Sequence, residues 1–320
     1  MLRFIVNRSL WAIPVMVMVS IVTFTAMQLV PGGPFTAGAS GRPIPPEIRA
    51  NMQAKYGLDQ PAWKQYVNYM KRLILHFDFG PSYRKQGRTV NQIMFGRDFW
   101  KDPLHAPIMI SAQVGLVSLA IAIGVGIPLG IISALKQNTM IDYIAMFFSM
   151  LGVSIPNFVL GAIFIILFSL TLHWLPVYGW GETPLQVIMP ALTLGTGGTA
   201  FIARLTRASM LETIRQDYIR TARAKGLKER AVILGHAVKN SLIPVTTILG
   251  PLTAAWLTGS FMVEWVFSIP GIGRFFITSI GDRDYLLIMG VFMVYAVALI
   301  FFNLVVDISY AFLDPRIRYQ

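Results

Sequence analysis

Long apolar stretches recur along the whole chain and are separated by polar segments. An apolar stretch of roughly 20 residues, folded as an α-helix, crosses the hydrocarbon core of a bilayer. The pattern therefore predicts six membrane-spanning helices, at residues 9–30, 108–135, 143–172, 185–202, 242–263 and 285–312. The fourth has the weakest pattern, because Pro190 and three glycines between 195 and 198 interrupt it.

Basic residues gather in alternate connections between these predicted helices. They lie at Arg3 and Arg8, at Lys136, at nine positions between the fourth and fifth spans, and at Arg316 and Arg318. Short loops rich in lysine and arginine stay in the cytoplasm, so both termini are predicted to be cytoplasmic. The loop 173–184 has no lysine or arginine and carries two tryptophans and a tyrosine, as is typical of an outer interface.

The segment 31–107 is an exception, because it places many basic residues on the predicted outer side. Long loops are not governed by the positive-inside rule, so the orientation stands. Helical patterns at 46–56 and 62–75 predict a small folded cap outside the membrane. The expected division is a first helix in 1–30, an external loop or cap in 31–107, and a core of five helices in 108–320. This core includes a cytoplasmic loop at about 206–240.

Composition agrees with the membrane prediction. The 320 residues are 55% hydrophobic and 13% charged, against about 25% charged in a soluble domain. The net charge of +12 follows from the basic cytoplasmic loops, so nucleic-acid binding is not expected. The apolar run 10–30 is long for a signal peptide and lacks a small-x-small cleavage site, which favours a retained first helix.

Motifs for catalysis or metal binding are missing from the sequence. The four histidines have no helical ligand spacing, the chain has no cysteine, and no phosphate-binding loop or nucleophile elbow occurs. No catalytic residue, metal ligand or directly bound cofactor is therefore predicted. Asp307 follows Asn303 by one helical turn in the sixth span, and a structural role near the cytoplasmic end is favoured for it. Other ionisable groups at depth are sparse, which argues against a proton-coupled carrier.

Glycine and proline interrupt several predicted spans. Pro128 lies within Gly126-x-x-x-Gly130, and Pro156 lies in the third span. Such residues permit either bending or close packing between helices. We favour packing.

The segment 209–245 is the most informative part of the predicted cytoplasmic surface. Met210, Ile214, Tyr218 and Ala222 recur every four residues and predict one helix face. Gly226 can end that helix in a left-handed conformation, and a second helix is expected from about Lys228. This helix–glycine–helix pattern suits docking to another protein, and equally an interfacial helix on anionic lipid.

A resemblance to a known family favours docking. The stretch Arg220-Thr-Ala-Arg-Ala-Lys-Gly226 resembles the cytoplasmic EAA loop of ABC-transporter permeases, in the variant of peptide and nickel permeases. Arg220 and Thr221 replace the Glu-Ala of the general motif, whereas Ala222 and Gly226 match it. His236, Val238 and Lys239 replace its later Ile, Leu and Pro.

Further motifs extend the resemblance from end to end of the chain. They are Ala54-Lys-Tyr-Gly-Leu-Asp59, Phe77-Asp-Phe-Gly-Pro-Ser82, Ala134-Leu-Lys-Gln-Asn138, His173-Trp-Leu-Pro176, Glu264-Trp-Val-Phe-Ser-Ile-Pro-Gly-Ile-Gly273 and Asp314-Pro-Arg-Ile-Arg-Tyr319. Together they resemble the B-type permease subunit of oligopeptide transporters.

The resemblance implies an all-α membrane protein of the bacterial inner membrane. Its six helices would have the ABC-importer type I permease fold, with a large external loop after the first helix. Implied partners are a second, C-type permease, two cytoplasmic ATPases that hold ATP and Mg, an external peptide-binding protein, and the peptide itself. Dipeptides or nickel chelates are alternative substrates within the family. An ion-coupled carrier or channel is the alternative outside it.

Two groups of residues are carried over as candidate sites. The ATPase-docking group comprises Arg220, Thr221, Ala222, Ala224, Lys225, Gly226 and Leu227. Candidates for an outer gate are Glu264, Pro270, Gly271 and Gly273, although a plain loop anchor is favoured for Glu264. We expect Gly226→Asp and Ala222→Asp to leave membrane insertion intact and to uncouple the ATPases.

Overall fold

The computed structural model describes residues 2–29, 33–35, 44–85 and 87–313, with side chains from residue 6 to residue 308. Fifteen α-helical segments follow one another: α1 (Leu2–Leu29), α2 (Pro46–Tyr56), α3 (Ala62–His76), α4 (Val90–Phe95), α5 (Pro107–Leu135), α6 (Met140–Ser154), α7 (Asn157–Phe164), α8 (Ile188–Ile214), α9 (Asp217–Ala224), α10 (Glu229–Ala231), α11 (Val238–Ser241), α12 (Ile243–Leu257), α13 (Phe261–Val266), α14 (Phe275–Gly281) and α15 (Tyr285–Leu313). π-Helical turns extend α7 to Thr171 and join α10 to α11. The end predicted for the first span at residue 30, the basic side chains of Arg3, Arg316 and Arg318, and the motif at 314–319 lie outside this description.

Four stretches are long and apolar enough to cross a membrane, at Val6–Leu29, Pro107–Leu135, Pro184–Ile214 and Tyr285–Ile308. Two bent helix pairs raise the number to six if each pair is one span. They are Met140–Ser154 with Asn157–Thr171, and Glu229–Ser241 with Ile243–Val266. The six predicted apolar stretches are therefore all helical.

The third predicted span is not one continuous helix. Its two halves, α6 and α7, meet at an angle of 107°. Pro156 has no N–H to donate, and it forces the preceding Ile155 into an extended conformation with ψ of 122°. The interruption predicted at Pro156 within the span 143–172 is therefore present, and the span is sharply bent there.

The fourth predicted span continues well beyond its expected end. Helix α8 runs to Ile214, 12 residues past the predicted boundary at 202. Pro190 does not break it, since it lies in the first turn, where a backbone N–H has no helical acceptor. Gly195 and Gly198 serve packing, because an added Cβ at Gly198 would lie 2.3 Å from the ring of Trp256.

The connection expected as a loop after the fifth span contains two short helices, α13 and α14. Glu264 therefore lies on α13 rather than in a loop. Towards the other end of the chain, Asn303 of α15 lies against Gly250 of α12, where an added Cβ would be 2.8 Å from Asn303 Oδ1. Asp307 follows one turn later in the same helix.

The chain divides into two compact units. The N-terminal unit comprises Leu2–Ile110 and Gly271–Ala298, and the core unit comprises Ser111–Pro270 and the chain from Leu299. The boundaries expected at residues 30 and 107 separate membrane-spanning segments from an external segment. They stay predictions, because the two compact units do not show on which side of a membrane a segment lies.

The N-terminal unit has an aromatic core, in which Tyr56 contacts Phe35 and Tyr83 at centroid distances of 5.5 and 5.0 Å. Asp284 is buried beside it, where its carboxylate accepts a hydrogen bond from the Ser82 hydroxyl and one of 3.2 Å from the Tyr83 N–H. Burial raises the pKa of Asp284 although these donors oppose the change. The motif Phe77–Ser82 thus has a structural role, because its last residue holds the carboxylate of Asp284.

In the core unit, the glycines of α5 pack directly on α8. An added Cβ at Gly126 would lie 2.8 Å from the carbonyl oxygen of Thr199, and one at Gly130 would lie 2.5 Å from that of Ala203. Both contacts are with backbone, which cannot rotate away. The favoured packing role of Gly126 and Gly130 is confirmed.

We expect Gly130→Ala to destabilise the protein by about 1–3 kcal/mol, because the added methyl group forces α5 and α8 apart. Gly124→Ala on the same helix is the matched control, since nothing lies within 4 Å of its added Cβ. The control should be neutral or slightly stabilising, because alanine has the higher helix propensity. Thermal unfolding of the purified variants measures both, and equal midpoints would contradict the packing assignment.

Candidate functional site

A helix–glycine–helix element is present where the sequence predicts it. Helix α9 ends at Ala224, Gly226 adopts a left-handed φ of 76°, and α10 begins at Glu229. We call residues 217–231 the elbow. The open surroundings of Gly226, with nothing within 4 Å of an added Cβ, show that its role is conformational rather than one of close packing.

The apolar face predicted across this segment is not continuous. The preceding helix stops at Ile214, and Gln216 is extended with ψ of 150°, so α9 starts afresh at Asp217. Met210 and Ala222 consequently belong to different helices. The prediction of one face through Met210, Ile214, Tyr218 and Ala222 was wrong, because it assumed an unbroken helix.

Ile219 and Ala222 instead form the inner face of α9. They are 0% and 6% exposed. They pack in a cluster with the buried residues Ala134, Met210, Val232 and Ala237. The short helix is therefore anchored to the end of α5, to α8 and to the turn that follows α10.

Two side-chain contacts strengthen this anchoring. The Arg223 guanidinium donates two hydrogen bonds, of 2.7 and 3.1 Å, to the Glu229 carboxylate across Gly226. The Asn240 amide donates a 2.7 Å hydrogen bond to the Tyr218 hydroxyl. The sequence reasoning missed both contacts, although opposite charges on the two sides of a predicted glycine turn were a usable signal.

The outer face of the elbow holds most of the predicted docking residues. Six of the seven are exposed: Arg220, Thr221, Ala224, Lys225, Gly226 and Leu227. Leu227 is 44% exposed, and Tyr218 beside them is 41% exposed. Ala222, the seventh, is buried within the chain itself. The elbow thus presents a basic surface with two apolar side chains on a fixed backbone.

A buried ion pair lies in the same unit and was also missed from the sequence. The Arg207 guanidinium of α8 donates hydrogen bonds of 2.7 and 2.6 Å to the two carboxylate oxygens of Asp142 in α6. Asp142 is 1% exposed and also accepts hydrogen bonds from the Ser133 hydroxyl and the Asn138 N–H. A single acid near the start of an apolar helix was the available signal. The pair ties α5, α6 and α8 together.

Three of the four candidate gate residues, Glu264, Gly271 and Gly273, are buried, and Pro270 is half-buried. In the core unit, Glu264 is 3% exposed and accepts a 2.6 Å hydrogen bond from the Ser111 hydroxyl. Pro270 ends this part of the core unit, whereas Gly271 and Gly273 belong to the N-terminal unit and are buried there. The contact of Glu264 with Ser111 ties α13 to α5.

Two family models together match nearly the whole chain. The model described as "Binding-protein-dependent transport system inner membrane component" matches residues 126–319, which include the elbow. A model for the N-terminal part of such membrane components matches residues 1–109. The chain belongs to this family. It is accordingly the permease subunit of an ABC importer and a multi-pass protein of the inner membrane.

Relatives of known function match the permease over its full length. It is 42% identical over 319 residues to the dipeptide transport system permease protein DppB of Bacillus subtilis, covering 99% of this chain and 98% of that one. It is 42% identical to the oligopeptide transport system permease protein OppB of Salmonella typhimurium and 41% identical to OppB of Escherichia coli. Each of these two matches covers 100% of this chain and 100% of the relative.

A solved structure supports the fold. A chain of the MetNI methionine ABC transporter, in inward-facing conformations, matches with a TM-score of 0.53 at 16% identity. The match covers 65% of the permease and 94% of that chain. The predicted fold class, an all-helical type I importer permease, is confirmed.

Proposed function

We propose that the permease carries oligopeptides inward, together with a second permease of the C type that completes the pathway. The observation that carries this proposal is identity of 41–42% over the full chain to permeases of peptide transport systems. A dipeptide substrate is the second candidate, since DppB is as similar as OppB. Nickel chelates, the remaining candidate within the family, have no specific observation in their favour. In this proposal an external binding protein delivers the peptide and largely sets its length.

The elbow is proposed as the docking surface for one of two cytoplasmic ATPases. In support, Arg220 is exposed on α9, whose other face is held by its own chain, and Lys225 and Leu227 are exposed in the turn that follows it. A fixed surface of this kind loses little conformational entropy on binding. ATP and Mg would be held by the ATPases, and both termini of the permease would lie on the same cytoplasmic side as the elbow.

The contacts of the elbow with the membrane helices support a mechanism of alternating access. Closure of the ATPases on ATP would move the elbow, and Ile219 and Ala222 would transmit the motion to α8. This helix has 27 residues and is roughly 40 Å long, so one rigid element joins the elbow to the membrane interior. The Arg207–Asp142 pair would carry the motion on to α5 and α6. Hydrolysis and release would then restore the inward-facing state.

For the candidate outer gate, we propose a role that centres on the contact between Glu264 and Ser111. Glu264 and Ser111 would hold α13 against α5 in one state of the pore, with Pro270, Gly271 and Gly273 shaping the connection that follows. A buried carboxylate stabilises the conformational state of the pore in which its hydrogen-bond donors stay in place.

Purification of the tagged permease from its native membrane in mild detergent tests the assignment. We expect two ATPase subunits and a second permease to copurify, with vanadate-sensitive ATP hydrolysis. Recovery of an intact permease alone, or as a homo-oligomer without ATPase, would overturn it in favour of a carrier or channel.

Substrate class is tested separately in vesicles that contain the whole transporter and its binding protein. We expect uptake of a labelled pentapeptide to be inhibited by other pentapeptides and much less by dipeptides or a nickel chelate. Inhibition by dipeptides alone would assign the second candidate function instead.

A further inference from the structure

The N-terminal unit contains a cavity that transport does not explain. It has a volume of about 520 Å³ and lies among α1, α2, α3 and the start of α15. Three cationic side chains line it, those of Lys55, Lys71 and Arg72, and no acidic residue of the described chain does so. A cavity with this charge favours an anion.

The polar groups inside the cavity are incompletely used. Tyr69 is 2% exposed, and its hydroxyl has no hydrogen-bond partner among the described residues. Arg72 is half-buried and forms no salt bridge within the described part of the chain. Leaving a buried hydroxyl unsatisfied costs free energy that a bound acceptor would recover. Burial raises the pKa of Tyr69, so its hydroxyl stays a donor at neutral pH.

The nearest acidic residues do not take the place of such an anion. Asp284 already accepts hydrogen bonds from the Ser82 hydroxyl and the Tyr83 N–H. Asp78 accepts a 2.8 Å hydrogen bond from the N–H of Gly80. Neither carboxylate accepts a hydrogen bond from the Tyr69 hydroxyl or forms a salt bridge with Arg72 in the described part of the chain, so an anion from outside it would complete the cavity.

An apolar cleft of about 320 Å³ adjoins the cavity and shares Met27 and Tyr285 with it. Its walls are the last turns of the spanning part of α1, around Val22 and Ala26, and the first turns of α15, around Ile288 and Phe292. Both sets lie at the same ends of their spans, where hydrocarbon gives way to headgroups. Ile280 of α14 and Arg283, which precedes α15, also line the cleft. A peptide carboxylate has no need of this apolar continuation, whereas a lipid acyl chain does.

We propose that the cavity and the cleft together bind one anionic phospholipid, with the phosphate beside Arg72 and Tyr69 and an acyl chain between α1 and α15. Basic pockets between spanning helices bind anionic headgroups on the cytoplasmic side of membranes, and the same complementarity of charge applies to this cavity. Arginine suits this task because its fork of N–H donors matches phosphate oxygens. By the predicted orientation the lipid belongs to the outer leaflet.

Retention of lipid by the purified full-length permease, after exchange from nanodiscs of equal parts phosphatidylglycerol and phosphatidylcholine, tests the headgroup site. We expect Arg72→Gln to lower retained phosphatidylglycerol about tenfold and Tyr69→Phe about fivefold, as loss of one charge-assisted or one neutral hydrogen bond predicts. Lys64→Gln, an exposed cation on the same helix outside the cavity, should not change it. Equal retention in all variants, or equal loss in the control, would overturn the proposal.

The acyl-chain site has its own test. Ala26→Trp fills the cleft and should lower phosphatidylglycerol retention, whereas Thr25→Trp, exposed on α1 but outside the cleft, should not. Without added lipid, Tyr69→Phe should unfold at the same temperature as the wild type or at a higher one, because the hydroxyl has no described partner to lose and its unsatisfied burial is relieved. Displacement of the lipid by a short peptide, but not by its C-terminal amide, would assign the cavity to peptide carboxylates and overturn the lipid proposal.

Discussion

Replacing Asp142 with alanine is expected to destabilise the permease by about 3 kcal/mol, because the Arg207 guanidinium, whose side chain is 24% exposed, loses its carboxylate and the buried Ser133 hydroxyl loses its acceptor. Asp142 is 1% exposed and accepts hydrogen bonds from three different elements, so the loss affects the contacts of α5, α6 and α8 at once. Thermal unfolding of the purified variant should show a lower midpoint, and membrane expression should fall.

The exposed pair of Asp98 with Lys101 supplies the matched control. These side chains are 68% and 83% exposed and 3.5 Å apart, so Asp98→Ala should barely change the unfolding midpoint. Arg207→Met should be as harmful as Asp142→Ala, whereas Asp142→Leu combined with Arg207→Met should recover more than half of the loss. Strict additivity of the two single changes would show that the pair is not coupled.

Local chemistry explains which parts of the fold could be predicted from the sequence. The apolar stretches are helical because length and hydropathy alone decide that. Gly226 was identifiable because a glycine after a basic helix end favours a left-handed turn. Close packing at Gly130 was favoured because of its spacing with Gly126, whereas the identity of its partner, α8, was not predicted.

Long-range contacts explain the errors. Pro156 was recognised as an interruption, but its 107° bend depends on how α6 and α7 pack on α8. The partnership of Asp142 with Arg207 spans 65 positions and no local pattern indicates it. The break at Gln216, which turned Ala222 inward, likewise has no glycine or proline to mark it.

The structure changes what the two substitutions expected to uncouple the ATPases should do. Ala222→Asp would place a carboxylate in the cluster of Met210, Ile219 and Val232, where burying an unpaired charge is costly. We now expect this variant to unfold the elbow and to lower the thermal midpoint. Membrane insertion can still stay intact, but loss of transport in this variant would not identify a docking residue.

Leu227→Asp is the sharper test of the docking surface. Leu227 is 44% exposed and has no place in the buried cluster, so the variant should insert and unfold as the wild type does. An ATPase docked on Leu227 would bury the introduced carboxylate, which costs more than about 1.4 kcal/mol when it is unpaired, so the ATPase recovered with the tagged permease should fall about tenfold or more. Peptide uptake should fall in parallel.

Gly226→Asp should give the same result at a small cost in stability. Its left-handed φ of 76° strains most side chains by about 1–2 kcal/mol, and aspartate is among the residues that tolerate it best. Leu104→Asp, the same change at a leucine that is 60% exposed in the N-terminal unit, is the control and should keep full ATPase recovery. Undiminished ATPase recovery and uptake in both elbow variants would remove the elbow from the ATPase interface, since both proteins remain folded.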